Sequence, residues 1–287
     1  MTLSSLALLA SVTVCTWNGQ WFPSGRAEHR AAPEVEAQTI EAAAKMLRDG
    51  LDKTDPSGGN DVVLCLNEIR GPKTAKALCA AIGRTNLAVV AVSGYRRRDR
   101  FDQQQDVIAT TLPGAGSGWS RWKNAKADTP PRGYAYADII LEPATTARVY
   151  AVHLKSNYGQ TTEELARRNR TKRSLAIAQI VEQEKPKRGK RKRPVVVAGD
   201  FNADAWKKEF KADDIFKTLE KAGFLNVLSQ LEPETRITFP RRGKFGESTL
   251  DYIMLRDLAV NGRPFVLPAG KVSDHNPVFV VLDRPGD

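Results

Sequence analysis

The chain has 287 residues, enough to bury a sizeable core, and its 41% hydrophobic and 27% charged residues are ordinary for a soluble globular protein. Its 44 basic and 33 acidic residues leave a formal charge of +11, which points to an anionic partner, either nucleic acid or an acidic membrane surface. The three cysteines, Cys15, Cys65 and Cys79, have no regular spacing, which argues against a disulfide framework and a zinc site and for buried free thiols.

The opening MTLSSLALLA is faintly like a signal peptide, but it has no basic flank and runs straight into a strand-like segment. Cytoplasmic and secreted locations both stay open. No other segment approaches the roughly 20 apolar residues of a membrane span, so a soluble protein is expected, with a monomer as the default.

Strand-like apolar runs are expected at Val12–Trp17, Val62–Leu66, Leu87–Val92, Val107–Thr111, Tyr134–Leu141, Val149–His153, Val195–Ala198, Arg236–Phe239, Leu250–Leu255 and Val278–Leu282. Helices intervene. One is expected over Pro33–Arg48, stopping at Gly50, and a second over Pro72–Ile82, closed by Gly83. Thr161 and Glu164 form a capping-box pattern opening a long helix to about Glu184, and Asp213 is expected to cap a short helix ended by Gly223. Some strands are separated by helices and others by hairpin-length loops. This order excludes a strict βαβ repeat and predicts an α/β fold, two mixed β-sheets packed face to face with flanking helices, in a single domain over residues 1–287.

Six strand tips end in polar groups: TVCTWN at Asn18, VVLCLNE at Glu68, YAVH at His153, VVVAGDFN at Asp200 and Asn202, STLD at Asp251, and VSDH at Asp274 and His275. One such tip is explained by turn chemistry; six are not, because buried polar groups without a role cost stability. Carboxylate and amide oxygens without cysteine suit a hard cation, Mg²⁺ or Mn²⁺, and such an ion beside histidines and an amide donor fits phosphoryl chemistry. No G-x-S-x-G segment is present to favour acyl transfer.

The segments TWN, LNE, HLKS, GDFNAD, LDY and SDHNP, in this order over about Val12 to Val281, resemble the endonuclease/exonuclease/phosphatase superfamily with its deoxyribonuclease-I-like fold. The resemblance implies Glu68 as principal metal ligand with Asn18 completing or supporting it, and Asp274 beside the metal or assisting His275. It implies Asp200 as the group that orients or deprotonates the attacking water and Asn202 as a donor to the scissile phosphate. His275, held by Asp251, would contact the phosphate, and His153 would act on the phosphate or the leaving oxygen. Two departures stand out. Gln20 occupies a position where abasic-site endonucleases of the family carry an acid. Pro131-Arg132-Gly133 lies where the deoxyribonucleases have an acid to pair with the histidine at 153.

Outside these tips, Arg96, Arg97 and Arg98 in RRRDR are candidate phosphate contacts, and Lys155 is either a phosphate contact or surface charge. Lys185–Pro194 is the densest basic run, but it enters its strand roughly 17 Å from Asp200 and cannot belong to the reacting centre. The glycine-rich PGAGSGW reads as a flexible loop, Trp119 and Trp122 as base-stacking or core residues, and His29 as a surface residue. The expected activity is metal-dependent hydrolysis of phosphodiester bonds in nucleic acid, DNA favoured. The alternatives are a phosphatase or phosphodiesterase for small or lipid phosphoesters, and a binding protein that has lost catalysis.

Overall fold

In the structure, a computed structural model, residues 11–24, 31–97, 100–123, 128–157, 162–186, 192–240 and 246–284 are described. Two six-stranded mixed sheets pack face to face. The first takes β1 (Val12–Phe22), β2 (Asp61–Ile69), β3 (Ala88–Val92) and β6 (Gln105–Thr110) from the early chain, and β13 (Val260–Val266) and β14 (Val278–Leu282) from its last part. Their order is β13-β14-β1-β2-β6-β3. The second sheet is drawn wholly from the middle of the chain: β7 (Gly114–Ser120), β8 (Tyr134–Glu142), β9 (Thr145–His153), β10 (Val195–Asp200), β11 (Leu225–Asn226) and β12 (Asp251–Arg256), in the order β11-β12-β10-β9-β8-β7. A small hairpin, β4 (Arg96–Arg97) and β5 (Arg100–Phe101), stands apart from both. Helices α1 (Pro33–Thr54) and α2 (Pro72–Ile82) cover the first sheet, and α3 (Glu163–Gln183) and α4 (Ile215–Lys221) the second.

Strand alternation decides which side chains meet between the sheets. On β1, Val12 and Val14 face the second sheet, while Cys15 and Trp17 lie beneath the helices; on β2, Val63 and Cys65 face inward and Val62, Leu64 and Leu66 outward. The same parity carries Asn18, Asn67 and, on β6, Asp106 to one end of the inter-sheet face. Strand β10 is buried on both faces, as three consecutive valines require. It runs parallel to β9 and antiparallel to β12, with Asp200 opposite both His153 and Asp251.

Several local expectations are corrected. Helix α1 continues through Gly50 to Thr54, because that glycine serves close packing: a Cβ there would lie 2.2 Å from the Phe279 ring of β14. Asp213 caps nothing, since both its oxygens accept from Arg173 at 2.8 Å. At α3 the cap is Thr162, which accepts from Leu165 N–H, while Thr161 lies outside the described residues. The expected loop PGAGSGW is edge strand β7, paired antiparallel with β8. Arg236–Phe239 forms no strand, only a bridge from Phe239 to Ser248, because the Thr238 hydroxyl takes the Leu250 and Asp251 N–H groups. Strand β13 was not expected, since Gly262 and Pro264 interrupt its pattern; its edge position tolerates both.

Candidate active site

The polar tips converge where the two sheets meet. Asn18 Nδ2 donates to Asp200 Oδ2 at 2.9 Å and to Glu68 Oε1 at 3.3 Å, linking the sheets through one amide. Its Oδ1 accepts the Gln20 N–H at 2.9 Å. Past Asn18 the pairing of β1 with β2 shifts register, and Gln20, Trp21 and Glu68 all adopt positive φ. This strained turn aims the Trp21 N–H at Glu68 Oε2, 2.9 Å away, fixing the carboxylate.

Asp200 is almost fully buried and held from both sides. Its N–H donates to Asn67 Oδ1 at 3.0 Å, and its Oδ1 accepts the N–H of Asn202, a residue at φ 50°. Asn67 in turn donates to Asp106 Oδ1 at 2.7 Å. The approach is close because Gly199 has no side chain: at φ 144°, a Cβ would meet the Val152 carbonyl oxygen at 1.9 Å and Asn67 Oδ1 at 3.0 Å. Asn67 and Asp106 are site residues that reading the strand tips misses. Their signal is the inward parity they share with Val63, Cys65 and Ile108.

Opposite Asp200, His275 Nδ1 sits 2.7 Å from Asp251 Oδ2. Asp274 is half-buried beside it. Burial alone would lower the His275 pKa, but the Asp251 charge and hydrogen bond, with Asp200 and Asp274, raise it to about 10. Burial pushes Asp200 up to about 7; His275 pulls against that and Asp251 adds to it. Asp106 is pushed by burial to about 8, against its bond from Asn67. His153 Nε2 lies 3.7 Å from Glu68 Oε1 and 3.6 Å from Asp200 Oδ2. Burial first, then Arg132, holds His153 well below its ordinary value, so it is neutral. Its Nδ1 is buried without a hydrogen-bond partner among the described residues. The side chain nearby is Arg132, at φ 67°, whose Nη2 donates to Gln104 at 2.8 Å.

The donor set fits a hard divalent cation. Glu68, Asp106, Asp200, Asp251 and Asp274 act on one another or on His275 through space, and Asp251 Oδ1 is buried without a hydrogen-bond partner among the described residues. Asp200, Asp251 and His275 also bring one donor atom each within 4.8 Å of one another. Asp251 and His275 are engaged with each other, however, whereas Glu68 is the more open carboxylate, so Glu68, linked to Asp200 through Asn18, is the better seat for a cation.

Of the expected phosphate contacts, Lys155 is half-buried near this cleft, donating to Ser156 O at 2.9 Å. Burial, then Arg132, Lys172 and Arg173, lower its pKa. Arg96 is exposed on the β4–β5 hairpin and Arg97 belongs to the same hairpin, while Arg98 and His29 lie outside the described residues. From the Lys185–Pro194 run, Arg193 is engaged with Glu184 at 2.5 Å and Asp138 at 3.0 Å; residues 187–191 lie outside the described set. Trp122 is core, tilted against Tyr134.

This fold and this cleft define a phosphoester hydrolase, and residues 15–275 match the Endonuclease/Exonuclease/phosphatase family, to which the chain belongs. The family is generally divalent-metal dependent. Among solved structures the chain is similar to an endonuclease/exonuclease/phosphatase family protein from Leptotrichia buccalis, at 15% identity and TM-score 0.62, covering 95% of this chain and 99% of that one. It is also similar to D. rerio TDP2 in complex with a single-strand DNA product, at 13% identity, TM-score 0.61 and the same two coverages. A third similar structure is SmcL, at 14% identity and TM-score 0.59, again covering 95% of this chain and 99% of that one. No curated protein matches the chain. Among the described residues no helix is long and apolar enough to cross a membrane.

Proposed function

We propose that the chain is a divalent-metal-dependent nuclease hydrolysing phosphodiester bonds of nucleic acid, DNA favoured, by in-line attack of water. The observation that carries the nuclease reading over a small-phosphoester one is the charge beside the cleft. After burial, the charges of Arg132, Lys172 and Arg173 lie close enough to lower the pKa of the Lys155 ammonium, in a chain with net charge +11. One phosphate monoester does not need that much positive charge; a polyanion does.

Asp200, with a pKa near 7, takes the proton of the attacking water, since a base works best close to the operating pH. His275, cationic and fixed by Asp251, donates to a phosphoryl oxygen and offsets its growing charge. Asn202 presents its amide to the same phosphate. Neutral His153 hydrogen-bonds the phosphate or the leaving oxygen. Mg²⁺ or Mn²⁺ would be held by Glu68, with Asn18 orienting its carboxylate and Asp274 nearby. When bound, the ion neutralises charge on the phosphoryl oxygens.

The test is incubation with supercoiled plasmid and single-stranded RNA in Mg²⁺, Mn²⁺ or EDTA, with Asp200→Asn as control. Metal-dependent cutting that the variant lacks is expected, with binding that weakens steeply with salt. Folded protein that cuts neither polymer yet releases phosphate from small esters would overturn the nuclease reading.

A further inference from the structure

Four residues past Asn202 the chain exposes a large aromatic side chain. Trp206 is 38% exposed, and an indole on the surface forgoes the burial that such a side chain normally contributes. Its position is nonetheless well determined. The Trp206 N–H donates to Asp204 Oδ1 at 2.9 Å, and the neighbouring Ala205 N–H to the Tyr252 hydroxyl at 2.9 Å. The indole stacks on the Tyr252 ring at 5.9 Å with an interplanar angle of 26°. The Arg236 guanidinium lies 3.6 Å from the indole centroid. No carboxylate among the described residues pairs with Arg236; its hydrogen bond is to the Leu231 carbonyl at 3.5 Å, the long limit for such a bond. Beside it, Lys207 is half-buried and donates to Ser248 Oγ at 2.9 Å, a neutral partner.

The ledge is tied to the reacting centre at two points. Tyr252 directly follows Asp251 on β12, and Trp206 directly extends the loop that begins at Asp200 and Asn202. Four residues of chain span at most about 14 Å. With bases rising about 3.4 Å each along a strand, the ledge lies within about four nucleotides of the bond being cut.

A rigid π-surface with two cations that no acid among the described residues pairs with is what an unpaired base and its phosphate require. We infer that Trp206, Arg236 and Lys207 form a subsite for one unpaired nucleotide flanking the cleaved bond, the base stacking on the indole–guanidinium pair and the phosphate meeting Lys207. This rests on the nuclease reading and deepens it: a base paired in a duplex cannot occupy the ledge, so single strands and frayed ends are preferred substrates.

The experiment compares wild type, Trp206→Ala, Trp206→Phe and Arg236→Gln on a single-stranded DNA oligonucleotide and on bis(4-nitrophenyl) phosphate, which has no base to stack. An abasic residue is placed in turn at each of the four positions flanking the cut. Trp206→Ala is expected to raise KM on the oligonucleotide about 5- to 150-fold, the worth of one stacked base. Its hydrolysis of bis(4-nitrophenyl) phosphate stays at wild-type rate, Trp206→Phe recovers most of the loss, and Arg236→Gln moves the same way as Trp206→Ala. One abasic position should reproduce the loss in wild type and add nothing in Trp206→Ala. An unchanged KM in Trp206→Ala, or an equal loss on both substrates, overturns the subsite. Wild type that hydrolyses bis(4-nitrophenyl) phosphate but cuts no oligonucleotide overturns the nuclease reading and the subsite with it.

Discussion

Asn67 is fully buried and joins two groups that have no other way to be satisfied there: it accepts the Asp200 N–H at 3.0 Å and donates to Asp106 at 2.7 Å. Asn67→Ala removes both bonds and leaves a buried N–H and a buried carboxyl oxygen unpartnered, at about 1–3 kcal/mol each. The expected loss is therefore about 2–6 kcal/mol of a total stability on the order of 5–15 kcal/mol. The same change frees the backbone of Asp200, so hydrolysis should fall more than tenfold even at temperatures where the variant is folded. Asn67→Asp keeps the acceptor for Asp200 but sets a second carboxyl against Asp106, and an intermediate loss is expected. Urea unfolding in EDTA gives the stabilities, and kcat on bis(4-nitrophenyl) phosphate gives the activity. A loss under about 1 kcal/mol with wild-type kcat would show that this bridge does not hold the site.

Asp106 binds a proton on folding, because burial raises its pKa to about 8, well above its unfolded value. The stability it gains from protonation is full below about pH 4 and is lost as pH rises toward 8. Asp106→Asn should flatten that part of the stability–pH curve; an unchanged slope in urea titrations counts against a protonated Asp106. Arg173, wholly buried, binds Asp213 through two nitrogens and the Lys155 carbonyl and Asn157 Oδ1 through the third. Arg173→Met should cost about 3–5 kcal/mol by stranding the Asp213 charge, and adding Asp213→Leu should restore part of it, measured as a double-mutant cycle. Gly199→Ala would set a Cβ 1.9 Å from a backbone oxygen at φ 144°, and no soluble folded protein is expected; a circular dichroism spectrum and melting point like wild type would refute the close approach.

The architecture was legible where burial and period agree. The valines before Asp200, the alternation of β8 and the apolar core of β2 declare themselves, and the polar residue ending each run marks the rim. What escaped did so for physical reasons. Asn67 and Asp106 sit inside strands rather than at their ends, so only the inward parity of their neighbours betrays them. Strand β7 is hidden by glycines, which β8 accommodates by backbone pairing alone. Gly50 reads as a helix stop because spacing cannot reveal the Phe279 ring lying against it. The Asp251–His275 pairing came from family resemblance, since residues so far apart in the chain carry no local signal of contact.

One property of the first sheet reaches back to how the molecule is made. Strand β1 lies between β2 and β14, with Val12 opposite Leu282. The partner therefore emerges 270 residues later (282 minus 12), which at 5–20 residues per second is about 14–54 s of synthesis. Until then β1 has an open edge, and His275, three residues before β14, has not reached Asp200 and Asp251. A nascent chain thus cannot form the Asp251–His275 pair at the cleft until β14 has joined the sheet. The order of the strands along the chain makes assembly of the candidate site one of the last steps of folding.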